Sequence, residues 1–367
     1  MRIKERIEGH LRTPRRLKKR ALGKVERSKA LTRHILKHIG ERFGSIRHSY
    51  YAKKEKAAVD EMLFSFEKLP VLGKEYWFML FTEKNGSRQL LVTFGRGRSG
   101  QYSVNEISVP EKSSENSIFE SWFYDQGINE FPTRAAVVSI WKKEITAAGR
   151  GLEFSFSGNY PKYSLSLRNE GRDTARLELK EPEVGERFDF IEYFKALFGF
   201  GAISMFSDFN GVLNGKRFEG RAFIQKVVLS VPIIPWSWVK VHFSSGSALT
   251  YFNLRVPRTP KKFSVSLEFY DAGTNTSHRF HEASLCRFGK SSVHWCLEAS
   301  AGGAELECIL KVYAVKKFRM ESRTLFHYTQ YLVEIESLRF SYGKRVVSEK
   351  ETGPGIGFVE DTEGVFI

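Results

Sequence analysis

The stretch YWFMLFTEKNGSRQLLVTFGR, Tyr76–Arg96, decides the fold class. Two runs rich in aromatic and branched apolar side chains flank Asn85-Gly86. Asn-Gly tolerates the positive φ angles that a two-residue hairpin needs at its centre, so the pair predicts two antiparallel strands. The same rhythm continues through SIFESWFYDQ, TRAAVVSIWKKEIT, GLEFSFSGNYPKYSLSLRN and TARLELKEP, each a short strand or strand pair bounded by polar turns. Asn214-Gly215 starts a second series, which runs through SVSLEFYD, SVHWCLEAS, ELECILKVYAV and TQYLVEIESLRFSY. Residues 185–206, GERFDFIEYFKALFGFGAISMF, are aromatic-rich and glycine-interrupted, and are read as the junction. The expectation is a mainly β protein of two consecutive antiparallel barrel or sandwich halves, residues 63–200 and 201–367, behind a basic, partly helical extension, residues 1–62. A chain of 367 residues, 14% aromatic with 31 Phe, has the side chains to fill cores of that size.

The net charge of +16 is concentrated at one end. Residues 1–60 hold 19 Lys and Arg against 6 Asp and Glu, leaving almost no excess on the rest. Leu31, Ile35, Ile39 and Phe43 recur at four-residue spacing, which predicts a helix from Ser28, and a second piece is expected over Tyr51–Met62. Three readings of this segment stay open. It packs across the β body with a solvated basic face, it lies on an anionic membrane surface, or it binds nucleic acid. The last has least behind it, since no zinc-finger spacing or aromatic stacking platform accompanies the charge.

Cys286, Cys296 and Cys308 have neither disulfide-framework nor zinc spacing and are expected as buried, reduced thiols. MRIKERIEGHLRTPRRLKKR lacks the apolar core of a secretory signal, and the chain has no apolar run of about 20 residues. A cytoplasmic protein, with the option of peripheral membrane attachment, is expected. GRGRSG, Gly95–Gly100, fits a dinucleotide-binding spacing, but a strand-like QYSVNEISV follows where that motif needs a helix, so it is read as a hairpin loop. Asn275-Thr276-Ser277 is read as a polar turn, and His278 and His281 lack a third ligand. Hydrolase, metalloenzyme and NTPase signatures are absent, so neither metal nor cofactor is expected.

The segment NGVLNGKRFEGRAFIQKVVLSVPIIPWSWVKVHFSSGSALTYFNLRVP resembles a signature of the carotenoid 1,2-hydratase/AttH-like family of the lipocalin-related superfamily. LPVLGKEYWFMLFTEKNG is similar to that family's early aromatic strand, FEGRAF to its glycine-preceded aromatic strand, and GIGFVEDTEGVF, with Glu360 and Gly364, to its closing strand. The resemblance covers roughly residues 64–367. It implies two consecutive lipocalin-like β-barrel halves, sometimes with strand exchange between them, and a ligand pocket bordered by Glu75, Trp77, Glu219, Gln225, Lys226, Trp236, Trp238, His242 and Tyr251. Where the family carries an Asp-His pair that protonates a double bond, this chain has Gln225 and Lys226. A neutral amide offers no ionisable proton, and an ammonium is too weak an acid to make a carbocation near neutral pH.

Strand alternation places Trp236 and Trp238 on one face. That face is either ordinary β core or the wall of a cavity in the second half. The leading expectation is a binding protein for an apolar small molecule, an isoprenoid or other lipid, held near anionic membranes by residues 1–60. The alternatives are an isoprenoid-modifying enzyme using a different acid (Glu219, Asp208, Glu75 or His242) and an adaptor that binds nucleic acid through its basic end.

Overall fold

The structure is a computed structural model and describes residues 56–66, 69, 73–84, 86–97, 102–109, 116–180, 188–191, 200–229, 233–255, 262–289 and 292–366. The chain enters through helix α1 (Lys56–Leu63), then β1 (Lys74–Glu83) and β2 (Arg88–Gly97). A small hairpin, β3 (Tyr102–Val104) and β4 (Ile107–Val109), precedes β5 (Asn116–Asp125) and the short β6 (Ile128–Glu130). A meander follows: β7 (Arg134–Trp141), β8 (Glu144–Gly149), β9 (Leu152–Asn159), β10 (Lys162–Asn169) and β11 (Arg172–Lys180). Next come β12 (Phe188–Ile191) and the long hairpin β13 (Phe200–Leu213) and β14 (Lys216–Leu229). The second part runs β15 (Trp236–Phe243), β16 (Ala248–Arg255), β17 (Lys262–Asp271), β18 (Thr276–Phe280), β19 (Ala283–Phe288), β20 (His294–Ala301), β21 (Ala304–Glu321), β22 (Leu325–Tyr342), β23 (Arg345–Ser348), the single-turn α2 (Glu349–Thr352) and β24 (Gly355–Gly364).

These strands form two antiparallel sheets, the fold class expected. The first has the order β11-β10-β9-β8-β7-β5-β2-β1-β14-β13, and β13 pairs back onto β11, closing a ten-stranded barrel. At that seam Gly211 lies opposite Leu177, and a Cβ there would sit 2.0 Å from the Arg176 carbonyl oxygen. Only glycine lets the two backbones approach so closely. The second sheet has the order β18-β17-β16-β15-β24-β22-β21-β20-β19. It also takes in the β3–β4 hairpin, through Val104 opposite Met320 on β21. That is an exchange of a first-part segment into the second sheet.

Alternation along the strands makes three apolar layers. Trp77, Met79 and Phe81 of β1 point into the barrel with Phe94, Phe154, Phe156 and Ile224. Phe78 and Leu80 point the other way, into a layer shared with Phe223, Trp238, Leu332 and Phe358. Val239, Val241, Leu249, Tyr251, Phe269 and Phe340 fill the far side of the second sheet. Strand β1 thus buries both faces over Trp77–Phe81, which is why it reads as a nearly unbroken apolar run, and β14 buries both faces from Ala222 onward, with Gln225 and Lys226 interrupting its apolar side chains.

Four details differ from the sequence reading. The strands Phe200–Leu213 and Lys216–Leu229 belong to the first sheet, as does Phe188–Ile191, so the change of sheet comes after Leu229 and not within 185–206. Asn214-Gly215 does form a tight turn with positive φ at both residues, but it joins two strands of the barrel. Cys308 is buried, whereas Cys286 is exposed and Cys296 partly so, because both sit on the edge pair β19–β20. Gly95, Arg96 and Gly97 end strand β2 instead of forming a loop; Gly95 packs where a Cβ would meet Tyr76 Cβ at 2.8 Å, and residues 98–100 lie outside the described residues. The helix expected from Ser28 and the start of the one expected at Tyr51 also lie outside them.

Helix α1 is fastened to the barrel. Val59 and Leu63 enter its core, and the Leu63 carbonyl accepts from Trp77 Nε1 at 3.1 Å. Asp60, nearly buried, accepts from Tyr163 OH at 2.7 Å, Tyr160 N–H at 2.9 Å and Lys143 Nζ at 3.0 Å. Removing the carboxylate strands a buried phenol and an amide, each costing about 1–3 kcal/mol. Asp60→Ala is therefore expected to lower unfolding stability by about 3 kcal/mol. Urea titration with tryptophan fluorescence checks this, and an unchanged midpoint would show that the helix does not hold the barrel.

Candidate functional site

Between the two sheets lies a cavity of about 170 Å³. Its walls are mostly apolar: Phe78, Leu91 and Ile118 from the barrel face it, and Trp236, Trp238, Phe318 and Phe326 from the second sheet. Tyr102 and Val104 of the exchanged hairpin close one side, beside Met320. Dry, apolar cavities of about 150 Å³ accept a benzene-sized molecule, so this space suits one ring or a short branched chain.

Glu360, on β24, is the central polar group. It lies opposite Trp238 on β15 and Gln330 on β22, and it is 3% exposed. Its Oε2 accepts from Trp236 Nε1 at 2.8 Å, and its Oε1 accepts from Tyr328 OH at 2.7 Å. Burial raises its pKa to about 7, against the opposing pull of those two donors. The Tyr76 and Tyr328 phenols are held protonated by burial and by the neighbouring Glu360 charge. Glu120, on β5, borders the cavity from the barrel side, and burial likewise lifts it to about 7, although Thr133 and Asn105 donate to it and Lys316 lies near. A carboxyl that titrates near neutrality can give or take a proton there, so the cavity holds two candidate acid–base groups in an apolar setting. Lys74, also on the wall, is lowered to about 8 by burial.

The residues singled out from sequence divide between three environments. Gln225, Trp236 and Trp238 line the cavity, with Gln225 Nε2 donating to Ser204 Oγ at 3.0 Å. The two tryptophans do share one face of β15, but it looks onto the barrel across the inter-sheet space, not into a cavity of the second half. Glu75 borders the cavity, yet its carboxylate is engaged by Arg96 Nε and by Lys226 Nζ at 3.6 Å. Lys226, one residue on from Gln225, points to the opposite side of β14, into the barrel. There it donates to the Ser65 carbonyl at 2.6 Å and lies 5.0 Å from the centre of the Trp77 ring. Trp77 itself stacks on Phe94 in the barrel core. Tyr251 is buried in the far core of the second sheet, opposite Leu267. Glu219 is bound to Arg217 at a hairpin end, and Asp208 faces Arg221 at 3.4 Å on the surface. His242 packs edge-on against Phe206 at 4.4 Å, away from the cavity lining.

Glu120, Tyr328 and Gln330 escaped the sequence reading. Their only trace is a polar residue on an otherwise apolar face: Glu120 between Ile118 and Trp122, Gln330 between Tyr328 and Leu332. No group of three or more His, Cys, Asp or Glu suited to a metal ion occurs among the described residues. Nor is any helix there long and apolar enough to cross a membrane.

No family model matches the chain, and no curated protein matches it. Solved structures to which it is similar include a protein assigned as AttH from Nitrosomonas europaea, with 10% identity over 83% of this chain and 95% of that one and a TM-score of 0.45. CghA with Sch210972 aligns at 11% identity over 79% of this chain and 88% of that one, with a TM-score of 0.47. Kievitone hydratase from Nectria haematococca aligns at 11% identity over 80% and 88%, with a TM-score of 0.39. At such identities none of them assigns a role to a side chain of this protein.

The shifted carboxyl has a consequence for stability. In the folded protein Glu360 binds its proton up to pH about 7, whereas its ordinary value is 4.5. Across that window the folded state holds the extra proton, so stability falls as pH rises and levels off above it. The contribution is on the order of 3 kcal/mol. Glu360→Gln is expected to reduce the difference in urea midpoint between pH 5 and pH 8, leaving the share that the similarly raised Glu120 contributes; an equally steep dependence in the variant would show that Glu360 does not titrate in this range.

Proposed function

We propose that the protein binds a small, largely apolar molecule in the inter-sheet cavity, with the polar end of that molecule turned toward Glu360. The observation that supports this is a buried carboxyl, oriented by Trp236 and Tyr328, set in a wall otherwise made of aromatic and aliphatic side chains. Convergent polar groups in an apolar concavity are the usual form of a small-molecule site. An isoprenoid unit or a lipid of similar bulk fits the space and the chemistry.

A second reading, acid–base catalysis on such a molecule, is favoured by the same residue. A carboxyl poised near neutrality is a competent proton donor, as Gln225 is not. Of the acids considered from sequence, Glu219, Asp208 and His242 lie away from the cavity, and Glu75 is already paired with cations. Glu360 is the residue an enzyme built on this site would use.

The test is binding of a ring-sized probe, benzyl alcohol, followed by ligand-observed NMR. Trp236→Ala and Trp238→Ala are expected to weaken it about tenfold or more, each removing a large wall side chain, while far-UV circular dichroism stays β-like. Unchanged affinity in both variants would remove the cavity as the ligand site.

The excess charge of residues 1–60 supports attachment to an anionic membrane surface, at about 1 kcal/mol per basic residue near the lipid. Full-length protein is expected to co-sediment with phosphatidylserine vesicles at low salt and to release as salt rises. Glutamate at Arg15, Arg16, Lys18, Lys19 and Arg20 is expected to abolish the binding. Retained binding in that variant, or salt-resistant binding to RNA, would point to another role for the segment.

A further inference from the structure

The side-chain amide of Gln330 is not used by the fold among the described residues. The residue sits on β22 with Lys316 directly opposite on one side and Glu360 on the other. It is 1% exposed and lines the cavity. Neither its Nε2 nor its Oε1 finds a hydrogen-bond partner among the described residues. The strand neighbours are engaged elsewhere: Lys316 Nζ pairs with Glu130 at 2.8 Å, and both Glu360 oxygens accept from Trp236 and Tyr328. Burying an amide without partners costs about 1–3 kcal/mol, and folded proteins rarely leave one so. A methionine would fill the same volume without that cost.

We infer that Gln330 reads the ligand: the cavity takes a neutral, ring-sized apolar molecule bearing one hydroxyl or carboxamide, which donates to Gln330 Oε1 and accepts from Nε2. This rests on the binding reading above and deepens it. The group is neutral because the amide stands between a cation and a carboxyl in the same row, and because an uncompensated charge is costly against aromatic walls. It is both donor and acceptor because both ends of the amide are unsatisfied. Glu360 lies one strand away in the same row and also borders the cavity. A site that hydrogen-bonds a substrate in this way rejects the analogue lacking the group more strongly than an apolar wall rejects a missing methylene.

Full-length protein is titrated by ligand-observed NMR with benzyl alcohol, its near-isostere ethylbenzene, and benzamide, alongside Gln330→Met. Benzyl alcohol and benzamide are expected to bind at least about tenfold more tightly than ethylbenzene. In Gln330→Met that preference is expected to vanish or invert, and the ligand-free variant is expected to melt higher than the parent. If the compounds bind but their ratio is the same in both proteins, the cavity stands and Gln330 is not its reader. A lower melting temperature for the variant would show that trapped water already satisfies the amide, which overturns the inference. If none of the three binds either protein, the binding reading itself falls, and this inference with it.

Discussion

The contact of Phe78 and Phe223 on the barrel with Trp238 and Phe358 on the second sheet sets the spacing on which the site depends. The ring centres lie 5.5 Å apart for Phe78–Phe358, 5.6 Å for Phe223–Trp238 and 5.0 Å for Trp238–Phe358, in tilted and edge-on arrangements. Such pairs add about 0.5–1.5 kcal/mol each beyond the area they bury. Beside this cluster the facing side chains no longer fill the gap, and the space that remains is the cavity. Its walls come from both sheets, so neither sheet holds the site alone. The exchanged β3–β4 hairpin supplies the remaining side.

Within the barrel, a second cluster is polar. Glu75 meets Arg96 and Lys226 with no side-chain exposure of its own, while the Arg96 guanidinium lies 4.2 Å from the Phe66 ring centre. Breaking a buried pair from one side typically costs about 3–5 kcal/mol, whereas the intact group contributes little net stability. Its effect is on register. Glu75 is opposite Arg96 across β1–β2, and a one-residue slip would put the charges on different faces. The same strands carry Phe78 and Thr93 on their other side, so the register fixed inside the barrel also fixes what the cavity sees.

Much of this was legible in the sequence, and the limit is physical. Asn-Gly at 214–215 and the alternation in WSWVKVHF gave a true hairpin and a true face, because turn chemistry and pleat parity are local. What a face looks at is not local. Trp236 and Trp238 share a side, yet only the packing of the second sheet on the barrel determines that this side meets Phe78 and Phe223. The change of sheet after Leu229 was hidden for a related reason: β13 and β14 have the same composition as strands of either sheet, and their pairing with β1 and β11 joins residues far apart in the chain. Gln225 and Lys226 show the same limit at the smallest scale. They are adjacent in sequence, and parity sends one to the cavity and the other into the barrel. Glu360 stood in a matched motif, but its burial and its two donors arise only when β15, β22 and β24 lie side by side.

The exchanged hairpin bears on how the chain matures. Its partner strand, β21, is made long after it: the Arg319 amide that donates to Asn105 Oδ1 at 3.0 Å lies 214 residues downstream. At about 5–20 residues per second, a ribosome takes on the order of 10–40 s to reach it. Through that interval all ten strands of the barrel can emerge and close, while the hairpin inserted between β2 and β5 still has no strand to join. A nascent chain in this state exposes an unpaired strand edge beside the aromatic face of the barrel, the kind of surface that chaperones cover. Assembly of the inter-sheet cavity is thus among the last events of synthesis.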